Sequence, residues 1–346
     1  MRILVTGGAG YIGSVMTLEL LAQGFHVRVL DSLIYGHEGL LAVYGHGNFQ
    51  FIKGDIRDPE AIRQALEGID AVIHLAAIVG EPLCKIVPQA SVEINRQGTV
   101  GLLKAASFQN VARFIFASTC SNYGISSPEK LADEETDLHP LSLYAETKVA
   151  AEYVVLRSHS HSFATSVVRF ATVYGVSPHM RFDLLLHEFI KDALETNTIE
   201  LVAPDTWRPL LHVRDAARAV ISMLRADASK ISGKVFNIGN TDENYTKLMI
   251  AKLIQRKLPR TQIKPLGKIG GEPRNYRVSF EKAKDVLGFR TERTLADGVA
   301  EVVSAVEHGV IDPNHRHNGN LSARLREFCV RPPRNISRDA SEVAQK

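Results

Sequence analysis

The sequence predicts an α/β protein with a doubly wound parallel sheet. Two observations lead to this prediction: short, nearly all-apolar runs alternate with segments of helical length, and a glycine-rich stretch directly follows the first apolar run. Strands buried on both faces are typical of parallel sheets, because each crossover packs a helix back onto the sheet. A glycine-rich turn between a first strand and a helix is typical of Rossmann-type sheets, so we expect that architecture.

The strands of the first half follow in order, separated by helix-length segments. Six runs predict strands: Arg2 to Val5, His26 to Leu30, Phe49 to Ile52, Ala71 to Leu75, Arg113 to Ala117 and Ser166 to Arg169. After about Thr172 the alternation is less regular. There we expect helices over Leu184 to Leu194 and Asp215 to Leu224, and short strand positions at Glu200, Lys234 to Ile238 and Gln262 to Lys264.

These patterns divide the chain into three parts. We expect a Rossmann-type domain over residues 1–172, with some later segments interleaved, and a smaller α/β substrate-binding region over residues 173–311. Residues 312–346 are polar and basic, with arginines spread among proline, asparagine and serine. That composition favours a mobile tail over an arm that binds RNA or a partner.

Composition and charge exclude several classes of protein. Of the 346 residues, 45% are hydrophobic and 23% are charged, which is ordinary for a globular chain with a sizeable core. The formal net charge is only +3, so nucleic acid is not an expected partner. No basic leader and no bilayer-length apolar stretch is found, so we expect neither export nor membrane association.

The three cysteines are far apart along the chain, at Cys84, Cys120 and Cys329, and form no CxxC pair. They are too few for a disulfide framework or a structural zinc site. We therefore expect a protein of the reducing cytoplasm without a bound metal.

The glycine-rich stretch predicts a dinucleotide site. It runs from Val5 to Gly13 between the first strand and a helix, where glycines allow a sharp turn and a close approach of backbone to pyrophosphate. The helix N-terminus offers its N–H groups to the phosphates. The cofactor contacts expected in this stretch are Gly7, Gly10, Tyr11, Ile12 and Gly13.

Acidic residues after the next two strands extend this site. Asp31 ends the second strand, where a carboxylate accepts hydrogen bonds from both ribose hydroxyls and repels a 2′-phosphate, so NAD is favoured over NADP. Asp55 and Ile56 follow the third strand and are placed to meet the adenine ring. Asp55 has an alternative use as a helix cap, and the sequence leaves both open.

Tyr144 and Lys148 form the candidate chemical centre. They stand at i and i+4 in a segment of helical period, Leu141 to Arg157, so their side chains share one helix face. A phenol is a poor base at neutral pH, and we expect the neighbouring ammonium to lower its pKa. Tyr144 then takes or returns a hydroxyl proton while hydride moves between carbon and nicotinamide.

Several motifs in order resemble one enzyme family. The glycine loop, the run His74 to Ala77, the pair Ser118 and Thr119, and Tyr144 with Lys148 are similar to the extended short-chain dehydrogenase/reductases, the NAD-dependent nucleotide-sugar epimerases and dehydratases. The resemblance covers roughly residues 1 to 310. It implies an NAD-dependent enzyme that acts on a nucleotide-diphosphate sugar.

The resemblance also assigns roles to individual positions. It implies a catalytic set of Thr119, Tyr144 and Lys148, and a cofactor lining of Leu75, Ala76, Ala77 and Asn95, with Tyr174 closing over the nicotinamide side. Substrate contacts are implied for Thr119, Tyr144, Thr172, Arg208 and Arg274. The family commonly has asparagine at the position of Thr172. Arg208 corresponds to an arginine that binds the diphosphate, and Arg274 is a stand-in for a second one. Helices over Pro88 to Gln109 and Leu141 to Arg157 pair across a two-fold axis in relatives, which implies a homodimer.

The residues after Thr119 narrow the reaction. Dehydratases of this family carry Asp-Glu there, whereas this chain has Cys120 and Ser121. Without those carboxylates we do not expect a 4,6-dehydratase. The remaining reaction is oxidation at C4 through a 4-keto sugar, which makes the chain a 4-epimerase or, if the keto sugar leaves, a C4 dehydrogenase. Cys120 is expected to be a small packing residue.

Two further stretches, Val79 to Lys85 and Ser177 to Asp183, resemble bacterial C4 dehydrogenases acting on GDP-manno-heptose. Within the second, His179 and Arg181 either reach sugar or phosphate oxygens or merely begin the following helix. Two alternative functions remain open. The same residues permit an NAD(P)H-dependent reductase of an NDP-4-keto-6-deoxy sugar. A non-catalytic dinucleotide-binding protein is disfavoured, because it has no need of Tyr144 and Lys148 at this spacing.

Overall fold

A computed structural model describes residues 1–126, 129–266, 274–314 and 325–328. Strands and helices alternate through the first half in the order β1 (Arg2–Thr6), α1 (Tyr11–Ala22), β2 (His26–Asp31), β3 (Phe49–Lys53), α2 (Pro59–Leu66), β4 (Ala71–His74), α3 (Glu81–Ile86), α4 (Pro88–Val92), α5 (Thr99–Phe108), β5 (Arg113–Thr119), α6 (Leu143–Arg157) and β6 (Ala164–Phe170). A π-helical segment, Glu93–Gly98, joins α4 to α5.

The second half is more irregular. Its elements are β7 (Thr172–Tyr174), α7 (Leu185–Thr196), β8 (Thr198–Val202), β9 (Trp207–His212), α8 (Val213–Arg225), α9 (Ala228–Ile231), β10 (Lys234–Ile238), β11 (Asn244–Thr246), α10 (Lys247–Lys257), β12 (Gln262–Leu266), α11 (Glu281–Leu287) and α12 (Leu295–Glu307). Short 3₁₀ turns cover Glu38–Leu40, Cys120–Tyr123 and Thr241–Glu243.

The large sheet has the predicted doubly wound form. Within the described residues it contains seven parallel strands in the order β10-β6-β5-β4-β1-β2-β3. Successive strands run outward from β1 on one side and from β4 on the other, so the winding direction reverses between these two strands. In open α/β sheets the ligand crevice lies at that reversal, outside the carboxyl ends of the strands. The Rossmann-type α/β prediction is confirmed.

Apolar side chains cover both faces of this sheet. One cluster packs α1 and α8 against the sheet and includes Met16, Leu20 and Val220. Another packs α2, α5 and α6 against the opposite face and includes Leu102 and Val155. Strands enclosed in this way must be apolar throughout, which is why their runs are recognisable in the sequence.

The C-terminal region has its own small core. Two further sheets, ordered β11-β9-β7 and β12-β8, pack with α7, α10 and α12 around a third apolar cluster. The expected helices near 184–194 and 215–224 correspond to α7 and α8, and the expected strand positions correspond to β8, β10 and β12. β10 returns to the large sheet beside β6. The sequence analysis did not identify β9 and β11 as strands.

Most of the expected tail, including Cys329, lies outside the described residues. Of the tail residues that the structure describes, Leu325 is completely buried in the α2–α5–α6 cluster. The Arg57 guanidinium lies 5.0 Å from the centre of the ring of Phe328, also in the tail. Among the described helices, none combines the length and the apolar character needed to cross a membrane.

Candidate active site

The glycine turn after β1 leaves no room for side chains. Gly7 has φ +75°, and a Cβ there would lie 2.7 Å from the backbone nitrogen of Ala76, in the segment that follows β4. A Cβ on Gly13 would lie 2.1 Å from the carbonyl oxygen of Gly7. The turn therefore brings the start of α1 directly against the carboxyl ends of β1 and β4. The first-turn N–H groups of Tyr11, Ile12 and Gly13 lack carbonyl partners within their own helix, as at any helix start.

Asp31 is held by the glycine turn itself. Its carboxylate accepts the N–H of Ala9 at 3.0 Å and the N–H of Leu33 at 2.8 Å. Burial raises the pKa of this carboxyl, and the two backbone hydrogen bonds oppose that rise. The arrangement holds a carboxylate at the end of β2, at the position predicted to accept ribose hydroxyls.

Asp55 is hydrogen-bonded to Arg57, two positions later in the chain. Its carboxylate accepts hydrogen bonds from the guanidinium of Arg57 at 2.7 and 3.0 Å and from the Arg57 N–H at 2.8 Å. The residue that caps α2 is Asp58, whose side chain accepts the N–H of Glu60, so the helix-cap alternative for Asp55 is wrong. Ile56 is buried against Gly98 of the π-helical segment.

A buried hydrogen-bond chain fixes the floor of the crevice. Thr6 donates to Nδ1 of His74 at 2.6 Å, and Nε2 of His74 donates to the hydroxyl of Thr99 at 2.8 Å, because that hydroxyl itself donates to the carbonyl of Asn95. Burial lowers the pKa of His74 to about 3, so the ring stays neutral. The chain joins β1, β4 and the π-helical segment, and sequence reasoning missed it.

Asn95 acts through the backbone of the β4 loop. Its amide accepts the N–H of Ile78 at 2.8 Å, donates to the carbonyl of Ile78 at 2.9 Å and donates to Thr147 at 3.2 Å. The π-helical turn that carries Asn95 is a feature often found at functional sites. Asn95 thus positions the segment after β4, which contains the predicted cofactor-lining residues Leu75, Ala76 and Ala77.

Tyr144 and Lys148 lie on one face of α6, as predicted. Ser142 caps this helix by accepting the N–H of Ala145. The ammonium of Lys148 lies 5.9 Å from the centre of the Tyr144 ring and donates to the carbonyl of Ala117 at 2.9 Å. Burial lowers the pKa of Lys148 to about 8, and the charge of Glu152 opposes that fall.

The pKa of the Tyr144 phenol differs from expectation. Burial raises its pKa to about 12, and the charge of Arg181 opposes the rise more than that of any other residue. The predicted acidification by Lys148 is not observed, because the ring is desolvated and the ammonium is directed to the strand carbonyl of Ala117. The protein by itself therefore favours the protonated phenol.

Thr119 ends β5 next to this pair. Its hydroxyl accepts the N–H of Ser121 at 3.1 Å and donates to the hydroxyl of Ser121 at 3.0 Å. Cys120 is buried, as expected of a packing residue, and its thiol donates to the carbonyl of Arg169. Beneath them Glu152 forms a buried ion pair with Arg169 at 2.7 Å.

A second group of polar residues lies around β9. The guanidinium of Arg208 is buried and donates to the carbonyls of Trp207 and Arg274, each at 2.7 Å. The Arg277 guanidinium lies 4.6 Å from the centre of the Trp207 ring. Lys247 lies near enough to Arg208 and Arg274 for their charges to lower its pKa, in addition to burial. The predicted pair Arg208 and Arg274 is thus brought together.

Sequence reasoning missed Lys247, Trp207 and Arg277 in this cluster. One signal was available for two of them: the chain's single tryptophan directly precedes Arg208, and Arg277 follows Arg274 by three positions. Lys247 carries no local signal, because α10 approaches β9 only in the folded chain.

One predicted contact, Tyr174, has a different position from that expected. The ring of Tyr174 is almost completely buried in the C-terminal core, where it packs on Gly298 and makes an edge-to-face contact with His212. It therefore does not line the crevice with its side chain, because β7 turns that residue toward α12. Thr172 is half-buried and hydrogen-bonds to Tyr276.

The segment from Ser177 to Asp183 lies between the β2 loop and Tyr144, before α7 begins. His179 is buried, with Nδ1 3.9 Å from a carboxylate oxygen of Glu38. Arg181 pairs with Asp183 at 2.5 Å, and the charges of Arg181 and Tyr144 influence each other. Of the two predicted substrate residues, Arg181 lies near enough to Tyr144 for their charges to interact, and His179 lies near the β2 loop.

Comparison with known proteins places this site in a family. The model of the NAD dependent epimerase/dehydratase family matches residues 3–239. The chain is 31% identical over 315 residues to a dTDP-glucose 4,6-dehydratase of Streptomyces niveus, covering 88% of this chain and 92% of the relative. It is 30% identical over 323 residues to a UDP-glucose 4-epimerase of Lactobacillus helveticus, covering 86% and 94%.

Solved structures give the same result. The UDP-glucuronic acid 4-epimerase of Bacillus cereus, in complex with UDP-glucuronic acid and NAD, superposes with a TM-score of 0.81 at 28% identity and covers 89% of this chain and 99% of its own. The dTDP-glucose 4,6-dehydratase DesIV of Streptomyces venezuelae, with NAD and TYD bound, gives 0.80 at 29% identity, covering 90% and 99%.

Proposed function

The chain belongs to the NAD dependent epimerase/dehydratase family, and we propose that it oxidises C4 of a nucleotide-diphosphate sugar, as a 4-epimerase or a C4 dehydrogenase. One observation carries the proposal. Tyr144 and Lys148 share one face of α6, and Lys148 is hydrogen-bonded to Ala117 of the strand that Thr119 ends, while the two residues after Thr119 are Cys120 and Ser121 instead of carboxylates.

The residues present fit NAD. A Cβ at Gly7 would fill the space between β1 and β4, and that space is where backbone must approach a pyrophosphate closely. The first turn of α1 would hold the phosphates through its N–H groups. The carboxylate of Asp31 would accept the adenine ribose hydroxyls and disfavour a 2′-phosphate.

The side chains supply the proton chemistry. When bound, NAD would supply the hydride acceptor and the positive charge of its nicotinamide ring. Tyr144 takes the proton of the C4 hydroxyl during oxidation and returns one during reduction. Lys148 is charged below about pH 8 and keeps an ammonium on the same face of α6 as the phenol. Thr119 hydrogen-bonds the reacting oxygen and orients it.

The surroundings of Cys120 and Ser121 oppose elimination of water. Burial raises the pKa of the Cys120 thiol well above its ordinary value, and its proton is given to the carbonyl of Arg169. A thiol with a raised pKa and a serine hydroxyl do not replace the general acid and base that two carboxylates supply. Relatives named as 4,6-dehydratases are among the matches, and the identity of the product separates the two reactions.

The residues around β9 favour a substrate with a diphosphate. Arg208, Arg274 and Lys247 concentrate positive charge beside Trp207, and guanidinium groups bind phosphate oxygens well. The stretches Val79 to Lys85 and Ser177 to Asp183 add GDP-manno-heptose to the candidate substrates. The relatives described above act, by name, on UDP- and dTDP-sugars.

Incubation with NAD and a panel of sugar nucleotides tests the proposal. The panel is UDP-glucose, UDP-glucuronic acid, dTDP-glucose, GDP-mannose and GDP-manno-heptose, with products identified by NMR. A C4-inverted sugar identifies a 4-epimerase, and a 4-keto sugar with accumulating NADH identifies a C4 dehydrogenase. A 4-keto-6-deoxy product, or consumption of added NADH only with a preformed keto sugar, contradicts the proposal.

A homodimer is part of the same proposal. The helices expected to pair across a two-fold axis expose large side chains, since Phe108 at the end of α5 is 88% exposed and Tyr153 of α6 is 61% exposed. A protomer pairing through these helices would cover apolar surface of this kind. Light scattering of the purified protein measures the mass directly, and a monomer at micromolar concentration would contradict it.

A further inference from the structure

His187 lies in the first turn of α7 and is completely buried. Both of its ring nitrogens are hydrogen-bonded to backbone groups. The N–H of Gly175 donates to Nε2 at 3.1 Å, and Nδ1 lies 2.7 Å from the carbonyl oxygen of Arg181. A carbonyl only accepts, so Nδ1 carries the proton and Nε2 does not. Burial lowers the pKa of His187 to about 4, which keeps this neutral form at physiological pH.

The Gly175 side of this ring leads to the cofactor turn. The carbonyl of Gly175 accepts the hydroxyl of Tyr11 at 2.8 Å, and the Tyr11 and His187 rings meet edge to face at 5.8 Å. Tyr11 is the first residue of α1, the helix whose N-terminus faces the glycine turn. Ser177 strengthens the link, because its hydroxyl donates to the carbonyl of Tyr11 at 2.7 Å.

The Arg181 side leads to the chemical centre. With its carbonyl held by His187, the Arg181 side chain pairs with Asp183 and extends toward Gly80, where a Cβ would lie 3.9 Å from a guanidinium nitrogen. Its charge acts on the phenol of Tyr144. One imidazole therefore connects α1, the helix of the cofactor turn, with Arg181. Of the charged residues, Arg181 lowers the pKa of Tyr144 the most.

We propose that His187 is a positioning residue that holds two parts of the active site in register: Gly175 against the first turn of α1, and Arg181 beside the catalytic tyrosine. The proposal rests on the proposed function for the role of Arg181 toward a sugar nucleotide. His187 itself touches no reacting atom. It acts through Nε2 on the cofactor side and through Nδ1 on the substrate side.

Two substitutions separate these contacts. The amide of His187→Gln reaches about as far as Nε2 and offers an acceptor to Gly175, whereas that of His187→Asn matches the position of Nδ1 and offers a donor to Arg181. Ile190→Ala is the matched control, because Ile190 is also completely buried on α7 but packs in the C-terminal cluster. Calorimetry measures the affinity for NAD. The affinities for UDP-glucose and GDP-mannose are measured on the NADH-loaded protein, because without a hydride acceptor no turnover occurs.

We expect the two variants to fail in opposite ways. His187→Gln weakens binding of the better-bound sugar nucleotide about tenfold, the cost of one lost buried hydrogen bond, and leaves NAD affinity within about twofold. His187→Asn weakens NAD binding about tenfold and retains the sugar nucleotide. Ile190→Ala lowers thermal stability without separating the two affinities.

Equal losses in both affinities for His187→Gln and His187→Asn would overturn the proposal, and so would a control that behaves as they do. Failure of the proposed function has a different signature. A wild-type protein that binds NAD and sugar nucleotide but turns over no member of the panel rejects the function, while the binding comparison still decides the role of His187.

Discussion

The ammonium of Lys148 lies 5.9 Å from the centre of the Tyr144 ring while donating to the carbonyl of Ala117 at the end of β5. The lysine is thus held by the strand that ends in Thr119, and the tyrosine lies one helical turn before it. Strand β5 and helix α6 together fix the distance between the phenol and the ammonium.

Removing the phenol hydroxyl tests the proton transfer. Tyr144→Phe is expected to lower kcat at least about a hundredfold, the range for loss of a general acid or base, because the phenol is the group proposed to carry the proton. Steady-state kinetics on the substrate found in the panel measures the loss. NAD content after purification is the control, and activity within a few-fold of wild type would contradict the assigned role.

Lys148 makes the stability of the protein depend on alkaline pH. Its pKa in the folded chain is about 8, below the ordinary 10.5, so the unfolded chain binds more protons between these values and stability rises with pH there. The burial cost is full below about pH 8 and vanishes above about pH 10.5. Lys148→Met removes it, and we expect the variant to be about 1 to 3 kcal/mol more stable at pH 7.

Urea denaturation at pH 7 and at pH 10.5, without added cofactor, measures this difference. The gain of Lys148→Met over wild type should shrink at the higher pH, because wild-type Lys148 is then neutral in the folded chain and half neutral in the unfolded chain. A gain that is the same at both pH values would show that packing, and not the buried charge, separates the two proteins.

Gly7 and Gly24 form a matched pair for the glycine turn. Both have positive φ, +75° and +80°, but a Cβ at Gly24 meets nothing within 4 Å whereas one at Gly7 lies 2.7 Å from the Ala76 nitrogen. Gly24→Ala is expected to cost about 1 kcal/mol of stability and leave NAD affinity unchanged. Gly7→Ala is expected to lower NAD affinity at least about tenfold, because the segment after β4 must move away from the turn. Calorimetric titration with NAD checks both, and an unchanged affinity for Gly7→Ala would place the cofactor elsewhere.

Arg208 is expected to be sensitive to a conservative change. Its guanidinium donates to two carbonyls at once, which a single ammonium with different geometry does not reproduce. Arg208→Lys should raise KM for the sugar nucleotide about tenfold with a smaller effect on kcat. Arg63→Lys, at an exposed arginine of α2, is the control for charge and should leave KM unchanged.

The fluorescence of Trp207 is expected to report on binding beside Arg208. It is the chain's single tryptophan, and the guanidinium of Arg277 lies 4.6 Å from its ring. Binding of a nucleotide diphosphate beside Arg208 is expected to change its fluorescence, and the titration midpoint should move to higher ligand concentration in Arg208→Lys. Fluorescence that does not respond to any panel member would separate Trp207 from the substrate site.

Much of the fold was predictable from local patterns. Buried parallel strands are apolar along their whole length, and the Gly7 turn requires residues without side chains, so both leave a trace in consecutive residues. β9 and β11 were not identified, because Arg208 and Pro209 interrupt the apolar run of β9 and β11 has only three residues. Tyr144 and Lys148 were predictable for the same local reason, since i and i+4 share a helix face.

The directions of individual side chains were less predictable. Tyr174 was expected at the cofactor and is packed on Gly298, and Lys148 was expected to acidify a phenol whose pKa burial raises. In both cases the outcome depends on which element packs against the side chain in the folded protein. That is a property of packing and desolvation, and no residue near them in the chain encodes it.

By itself, the amino-acid sequence determined the order of strands and helices in the first half of the chain, the position of the dinucleotide turn and the pairing of Tyr144 with Lys148, because each depends on spacing within one or two turns of chain. Only the tertiary structure decided that Tyr11 meets Gly175 across 164 residues, that His187 holds Arg181, and that Lys247 approaches Arg208. Those contacts arise when the C-terminal region packs against the large sheet, and their free energy comes from burial and hydrogen bonds between segments that are remote in the chain.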